Sequence, residues 1–342
     1  MNGTGCPIGE ARYREIVSAH GAGGRLMHSL IRDVFLGGEA RGAVVHDGAV
    51  LDVGGGRIAF TTDSYTVTPL FFPGGDIGSL SVWGTGNDLA MCGARPRWLS
   101  CGVILEEGFP VEILERIMAS MRSAAEGVGA EIVTGDTKVV ERGKGDGIYI
   151  NTAGIGWVHP AATIGPNRIV PGDLIILNGD IGRHGIAILT AREGLEFEHG
   201  VLSDAADLSD VVWAMLEAGV ELHCLRDLTR GGLASGLVEL SEGVDLEFRL
   251  KCGRISVDPA VETACNLLGL DPMHVANEGR FVAVLPEGSV ESALRVMAGR
   301  GHAGVVIGRV GAEGPAGVRL ETEYGTESWV RMLSGAPLPR IC

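Results

Sequence analysis

The chain has few aromatic residues, 5% of 342 positions, and a deficit of positive charge: 28 lysines and arginines stand against 43 aspartates and glutamates. A net charge of −15 opposes binding to nucleic acid or to an anionic membrane through the general field of the protein. Neither is expected as a partner. An anionic nucleotide is still admissible, because a divalent metal can mediate between phosphates and a local acidic site. Long apolar runs are lacking too, so no membrane span is expected, and the N-terminus has no basic region followed by an apolar one, so no signal peptide is expected. The seven cysteines are Cys6, Cys92, Cys101, Cys224, Cys252, Cys265 and Cys342. None belongs to a C-x-x-C pair, which removes the common zinc and iron–sulfur patterns. An odd, scattered set suits a reducing compartment, and the cytoplasm is expected. There is also no P-loop and no kinase glycine loop, so a nucleotide site would be of another type.

The chain is 45% hydrophobic and contains 54 glycines. Its length suggests about two domains, with aliphatic cores and many tight turns. Residues 1–45 form a Gly-rich lead with "HGAGG" (His20 to Gly24) and an amphipathic run from Arg25. Residues 46–160 alternate strand patterns with two helices, one opening at a capping Asp76 and one ending in a glycine near 129. A Pro/Gly-rich stretch, 159–173, reads as a linker. A second α+β unit follows over 168–320, and 321–342 reads as a mobile tail. The fold class expected is α+β with two domains of mixed sheet and helices.

Four short segments place an aspartate beside glycine or at a strand end: "TTDSY" with Asp63, "GTGNDLA" with Asp88, "TGDTK" with Asp136 and Lys138, and "RDLTRGG" with Asp227. Carboxylate oxygens suit hard divalent cations, and glycines let backbone N–H groups approach phosphate. An aspartate at a strand end also serves as a cap or turn former, and the four together leave both readings standing. "HGAGG" reads either as a phosphate-wrapping loop or as a flexible lead-in. "NEGR", with Glu278 and Arg280, precedes an apolar strand and on its own reads as a surface turn. Cys6, in "GCPIG", reads as a bystander.

The last residue is a cysteine. Cys342 follows "GAPLPR", where Pro337 and Pro339 favour an extended chain. About 15 extended residues span roughly 50 Å, enough to carry a thiol into a pocket and out again. A free thiol has a pKa of about 8.5, so it needs an electrophilic donor or a local activator. The competing reading is an incidental cysteine on a disordered end.

Taken together, "TTDSYTVTPLFFPGGDIG", "GTGNDLAMCGARP", "TGDTKVV", "DLTRGGL", "NEGR" and the terminal "PRIC" resemble the HypE family of hydrogenase maturation factors, within the superfamily of aminoimidazole ribonucleotide synthetase and selenophosphate synthetase. The resemblance runs over essentially the whole chain. It implies a two-domain synthetase-type (PurM-like) fold and a homodimer with ATP bound near the dimer face. It implies that Cys342 receives a carbamoyl group from the partner HypF and that ATP is used to dehydrate the S-carboxamide to a thiocyanate. The cyanide would pass to iron held by the HypC–HypD complex, for nickel–iron hydrogenase. For the residues, it implies Mg²⁺ on Asp63, Asp88, Asp136 and Asp227, and catalysis by Cys342, Lys138 and Glu278, with Glu278 as base. Nucleotide would be bound by His20, Gly21, Gly23, Gly24, Asn87, Asp88, Thr137 and Arg340. His184, in "IGRHG", would lie in a loop facing the site. The alternatives are a selenophosphate synthetase-like enzyme using Cys6, or a non-catalytic carrier whose tail is a recognition peptide.

Overall fold

The computed structural model describes residues 15–35, 46–195, 200–311, 314–333, 335 and 340–342. Cys6, Pro337 and Pro339 lie outside the described residues. The first unit contains helix α1 (Arg25–Leu30), strands β1 (Ala49–Val53), β2 (Gly56–Tyr65), β3 (Phe71–Phe72) and β4 (Gly75–Asp76), helix α2 (Ile77–Met91), strand β5 (Ala94–Glu106), helix α3 (Val111–Val128) and strands β6 (Glu131–Val140) and β7 (Ile148–Val158). The second contains β8 (Leu174–Leu177), α4 (Arg183–Glu193), α5 (Ser209–Glu217), β9 (Cys224–Asp227), α6 (Gly232–Val244), β10 (Glu247–Lys251), α7 (Pro259–Leu268), β11 (Phe281–Leu285), α8 (Val290–Gly299), β12 (Val305–Val310), β13 (Gly317–Glu321) and β14 (Glu327–Val330).

The first sheet has the order β1-β2-β7-β5-β6. Its neighbours are antiparallel except β5 and β6, which run parallel around the crossover helix α3, as a parallel pair requires. Alternation sets its two faces. Along β7, Ile148, Ile150 and Thr152 are buried while Asn151 and Trp157 are exposed, so one face takes helices and the other stays bare. The Asp76 carboxylate caps α2, accepting from the N–H groups of Gly78 (2.8 Å) and Ser79 (3.1 Å). Gly129, at φ 72°, ends α3.

Helix α2 lies between the two units and is buried almost all round. Leu89, Ala90 and Met91 share an apolar cluster with Val211, Val212, Leu225 and Phe281, so the units have a common core. Close approach to β2 depends on Gly84, where a Cβ would sit 2.3 Å from the Tyr65 hydroxyl oxygen. The second sheet has the order β14-β13-β10-β12-β8-β11-β9.

The stretch 159–173 joins the two units and is pinned to the body. The Arg57 guanidinium donates to the carbonyls of His159, Pro160 and Ala162, and the Gly165 N–H donates to the His223 carbonyl. The segment 321–342 is not wholly a mobile tail. It holds β14, paired with β13, where the Arg319 guanidinium packs over the Trp329 ring at 4.5 Å. Its last three residues are docked against the body, as described below. Among the described residues, no helix is long and apolar enough to cross a membrane.

Candidate active site

Three carboxylates converge from distant parts of the chain. Asp47 precedes β1, Asp88 lies near the C-terminal end of α2, and Asp227 ends β9. One ligand oxygen from each lies within 4.8 Å of the other two. The Thr61 hydroxyl donates to Asp88 Oδ2 at 2.7 Å, and Arg226 Nη1 donates to Asp47 Oδ1 at 2.5 Å. Asp47 Oδ2 is buried without a hydrogen-bond partner. Burial, then the charges of the other carboxylates, raises Asp227 to about 8 and Asp88 well above the usual carboxylate range. Asp47 rises to about 6, mainly through burial, with Arg226 opposing. Asp63 lies on the face of β2 shared by the buried Thr61 and Tyr65, and its charge helps push up Asp47, Asp88 and Asp227. An all-oxygen set of mutually repelling carboxylates with an orphaned buried oxygen fits a hard divalent cation.

The chain terminus docks beside this cluster. Residues 340–342 run antiparallel to the segment after β2: the Thr66 N–H donates to the Cys342 oxygen (2.9 Å) and the Thr68 N–H to the Arg340 carbonyl (3.3 Å). The Thr66 hydroxyl donates to the same Cys342 oxygen at 3.1 Å. Ile341 is buried in an apolar cluster that the first unit shares with α4 and α7 of the second, with Cys342 packed at its margin. Burial pushes the Cys342 thiol up to about 12, with Glu278, Asp63 and Asp227 adding to the shift and Arg230 opposing it. Docked, the sulfur is therefore a protonated thiol. Glu278 is 4% exposed. Its Oε1 has no hydrogen-bond partner, and burial followed by the Asp227, Asp204 and Asp63 charges raises its carboxyl well above the ordinary value.

His184 is not in a loop. It sits in the first turn of α4, fully buried. Its Nε2 donates to the Ile341 carbonyl at 2.6 Å and its Nδ1 lies 2.8 Å from Ser203 Oγ.

The glycines of "HGAGG" approach the second unit closely. Gly23 has φ 72°, and a Cβ there would meet the Arg230 backbone oxygen at 2.6 Å; at Gly24 it would meet the Leu333 oxygen at 2.4 Å. The Gly21 carbonyl accepts from Arg230 Nη1 at 3.4 Å, and Gly23, Gly24, Gly231 and Ile341 line one small hollow. His20 is buried and turned back on its own backbone, with Nδ1 3.0 Å from the Val17 nitrogen.

Other expected site residues are placed elsewhere. The Asn87 side chain is consumed by structure. Its Nδ2 donates to the carbonyls of Ala206 (3.0 Å) and Glu278 (3.2 Å), and its Oδ1 accepts from the Leu208 N–H (2.8 Å). Asn87 thus ties α2 to the second unit rather than offering itself to a nucleotide. The Arg340 guanidinium donates to the Thr66 carbonyl and pairs with Asp146, which fastens the tail. Asp136 and Lys138 are exposed on edge strand β6 and pair with each other at 3.1 Å. The register aligns Asp136 with Gly102, Asn151 and Ser64, one strand position from Asp63 and so on the opposite, bare face. Thr137 is exposed on the same edge strand. Within one chain, none of these three joins the acidic cluster.

Asp47, Arg226 and Arg230 were missed. "HDG" around Asp47 has the composition of a turn, and only the fold brings it to Asp88 and Asp227. The two arginines flank Asp227 in the quoted "RDLTRGG", the signal that could have found them.

The chain matches the family "AIR synthase related protein, N-terminal domain" over residues 45–158, and its C-terminal domain counterpart over 170–321. Carbamoyl dehydratase HypE of Azotobacter vinelandii is 46% identical over 337 residues, covering 97% of this chain and 99% of the relative. A crystal structure of hydrogenase maturation protein HypE in complex with ATP is similar at TM-score 0.80 and 45% identity, covering 96% of this chain and all of that one. A chain from a crystal structure of the HypE–HypF complex gives TM-score 0.83 at 40% identity, covering 91% of this chain and all of that one.

Proposed function

The chain belongs to the HypE family of AIR synthase related proteins, and from that membership we propose that it is an ATP-dependent carbamoyl dehydratase of hydrogenase maturation whose substrate is its own last residue. The observation that carries this reading is the place of Cys342. The terminal sulfur of the chain stands among Glu278, Arg230, Asp63 and Asp227, beside a carboxylate set suited to a metal–nucleotide.

An amide oxygen is a poor leaving group, so it must be made expendable. Transfer of the ATP γ-phosphoryl to the carboxamide oxygen of S-carbamoylated Cys342, with loss of one N–H proton, gives an imidate phosphate and ADP. Loss of the second N–H proton then expels phosphate and leaves S–C≡N. The protein's part is positioning, charge neutralisation and proton removal. Asp47, Asp88 and Asp227, with Asp63 close by, would hold Mg²⁺, and a divalent cation there would supply charge neutralisation for the nucleotide phosphates and the buried carboxylates. Glu278 accepts the nitrogen protons: its orphaned oxygen and raised pKa make it a stronger base than an ordinary glutamate once ionised. Arg230 offsets negative charge around the sulfur, and the Gly21–Gly24 loop beside it closes over the phosphates.

Lys138 and Asp136 act across a homodimer in this reading. The outer face of the first sheet carries them together with Phe60, Ile104 and Trp157, which are 41%, 44% and 45% exposed. A bare apolar sheet face of this kind is suited to burial against its own copy. The carbamoyl donor is a HypF-type partner, and the cyanide passes to iron on HypC–HypD. Loading by HypF requires the tail to leave its dock, since a half-buried thiol pushed up to about 12 is a poor nucleophile.

The test is mass analysis of the C-terminal peptide after incubation with HypF and a carbamoyl donor, before and after ATP. The peptide is expected to gain one carboxamide in place of the thiol proton, then to lose one water with ATP. Asp88→Asn protein is expected to gain the carboxamide and keep it. Carbamoylation on any other residue, or no ATP-dependent loss of water, overturns the reading.

A further inference from the structure

The docked terminus is held by groups that do not belong to the reacting cluster, and their geometry is specific. A carbonyl oxygen only accepts, so the 2.6 Å contact between His184 Nε2 and the Ile341 oxygen places the ring proton on Nε2. Burial lowers the His184 pKa, so the ring is neutral and Nδ1 is an acceptor. It accepts a hydrogen bond from the Ser203 hydroxyl, 2.8 Å between Nδ1 and Oγ, and Ser203 Oγ in turn accepts the Ala205 N–H at 3.0 Å. The Phe72 ring meets the imidazole edge-on at 5.5 Å. One tautomer of one ring, held from two sides, thus points a single N–H at the carbonyl adjoining Cys342. A second clamp stands beside it. Arg192 Nη2 donates to both the Thr68 carbonyl (2.8 Å) and the Arg340 carbonyl (2.7 Å). It bridges the tail to the segment it lies on. Arg340 itself takes φ 56°, a backbone conformation that a non-glycine residue adopts only when its surroundings hold it there.

We propose that His184 and Arg192 form a latch on the terminal segment, acting as positioning residues that set how often and in what pose the Cys342 sulfur occupies the dehydration site. The inference rests on the dehydratase reading for its consequence, but the latch can be measured without that chemistry. Release of the tail exposes Cys342 to a thiol reagent, whereas the exposed Cys252 serves as an internal reference that the latch does not touch.

The experiment uses the full chain. Maleimide labelling of Cys342 and Cys252 is followed by peptide mass for wild type, His184→Phe, His184→Gln and Arg192→Lys. Single-turnover dehydration of the carbamoylated proteins is followed in parallel. His184→Phe keeps the ring against Phe72 and loses the N–H. It is expected to label Cys342 about tenfold faster, as loss of one donor to a buried carbonyl implies, and to dehydrate about 3- to 10-fold more slowly. His184→Gln can donate from its amide to the same carbonyl and is expected to behave nearly as wild type. Arg192→Lys, at a partly exposed position, keeps the charge but loses the fork and is expected to shift both readouts in the same direction by a smaller factor. The proposal is overturned if Cys342 labelling is unchanged in both His184→Phe and Arg192→Lys, or if labelling rises while dehydration stays at the wild-type rate. If His184→Phe fails to fold, Arg192→Lys alone decides by the same two criteria. If wild type shows no ATP-dependent loss of water, the dehydratase reading falls while the labelling contrast still decides the latch.

Discussion

The two faces of the first sheet carry the same kind of motif and put it to different use. Asp63 on β2 and Asp136 on β6 both sit in short segments of threonine and aspartate, and Asp136 also follows a glycine. The inner face sends Asp63 toward α2, where its charge is felt by Asp47, Asp88, Asp227 and the Cys342 thiol. The outer face sends Asp136 into solvent with Lys138 as its partner. A single step of strand parity separates a carboxylate that faces its own chain's acidic cluster from one that faces away from it. A motif of this kind therefore does not say which face its carboxylate will occupy; in the proposed reading, Asp136 and Lys138 would serve the site of a neighbouring copy.

The largest effect that sharpens this contrast is on the inner side. Asp88→Asn is expected to lower single-turnover dehydration at least 100-fold, with the metal–phosphate geometry gone. It is also expected to raise the melting temperature of the metal-free protein at pH 8, because it removes one of several buried, mutually repelling charges. A lower melting temperature would make Asp88 structural. On the outer side, Lys138→Ala is expected to abolish dehydration without changing thermal stability. A mixture of Lys138→Ala and Asp88→Asn proteins, each inactive alone, then recovers about a quarter of wild-type activity, since half the dimers are mixed and each holds one intact site. No recovery would place Lys138 in its own chain's site.

Much of this was legible from the residues. The Asp76 cap, the glycine end of α3 and the strand at "RFVAVL" follow from local chemistry, and the structure has them where the patterns put them; the weight given to "PRIC" came from the resemblance and not from the residues alone. Residues whose role depends on pairing over long sequence distances were not legible. Asp47 reads as a turn until the fold sets it against Arg226, 179 positions away. The resemblance implies a nucleotide ligand at Asn87, whereas its amide is spent on Ala206, Leu208 and Glu278. Parity at Asp136 could have been counted from the strand pattern, but which face is covered could not. His184 was singled out from resemblance, whereas its bond to the Ile341 carbonyl needed a docked terminus that no periodicity announces.

A smaller effect concerns pH. Asp47 and Asp227 stand at about 6 and about 8 against an ordinary 3.8. The folded protein therefore binds these protons more tightly than the unfolded chain. Their contribution favours folding at low pH and is lost as pH rises through 6 and then 8. Without divalent cations, the melting temperature is expected to fall by about 5 °C between pH 6 and pH 8.5, and Mg²⁺ is expected to restore most of that loss. A fall of the same size in Asp227→Asn protein would locate the effect elsewhere.

The smallest effect is at the chain end. The Thr66 N–H and hydroxyl both reach the Cys342 oxygen. Thr66→Ala removes one of these two bonds and is expected to slow dehydration about 2- to 5-fold, with nucleotide binding unchanged. A C-terminal extension, which removes the terminal carboxylate itself, should slow it more.

The account turns on whether the carbon carried by Cys342 becomes a nitrile inside this protein. Carbamoylated protein prepared with a ¹³C-labelled carbamoyl donor, mixed with Mg·ATP and observed by infrared spectroscopy, is expected to develop a protein-bound C≡N stretch that is displaced when unlabelled donor is used and absent in Cys342→Ser protein. Consumption of ATP with no such band, or a band that persists without Cys342, would contradict it.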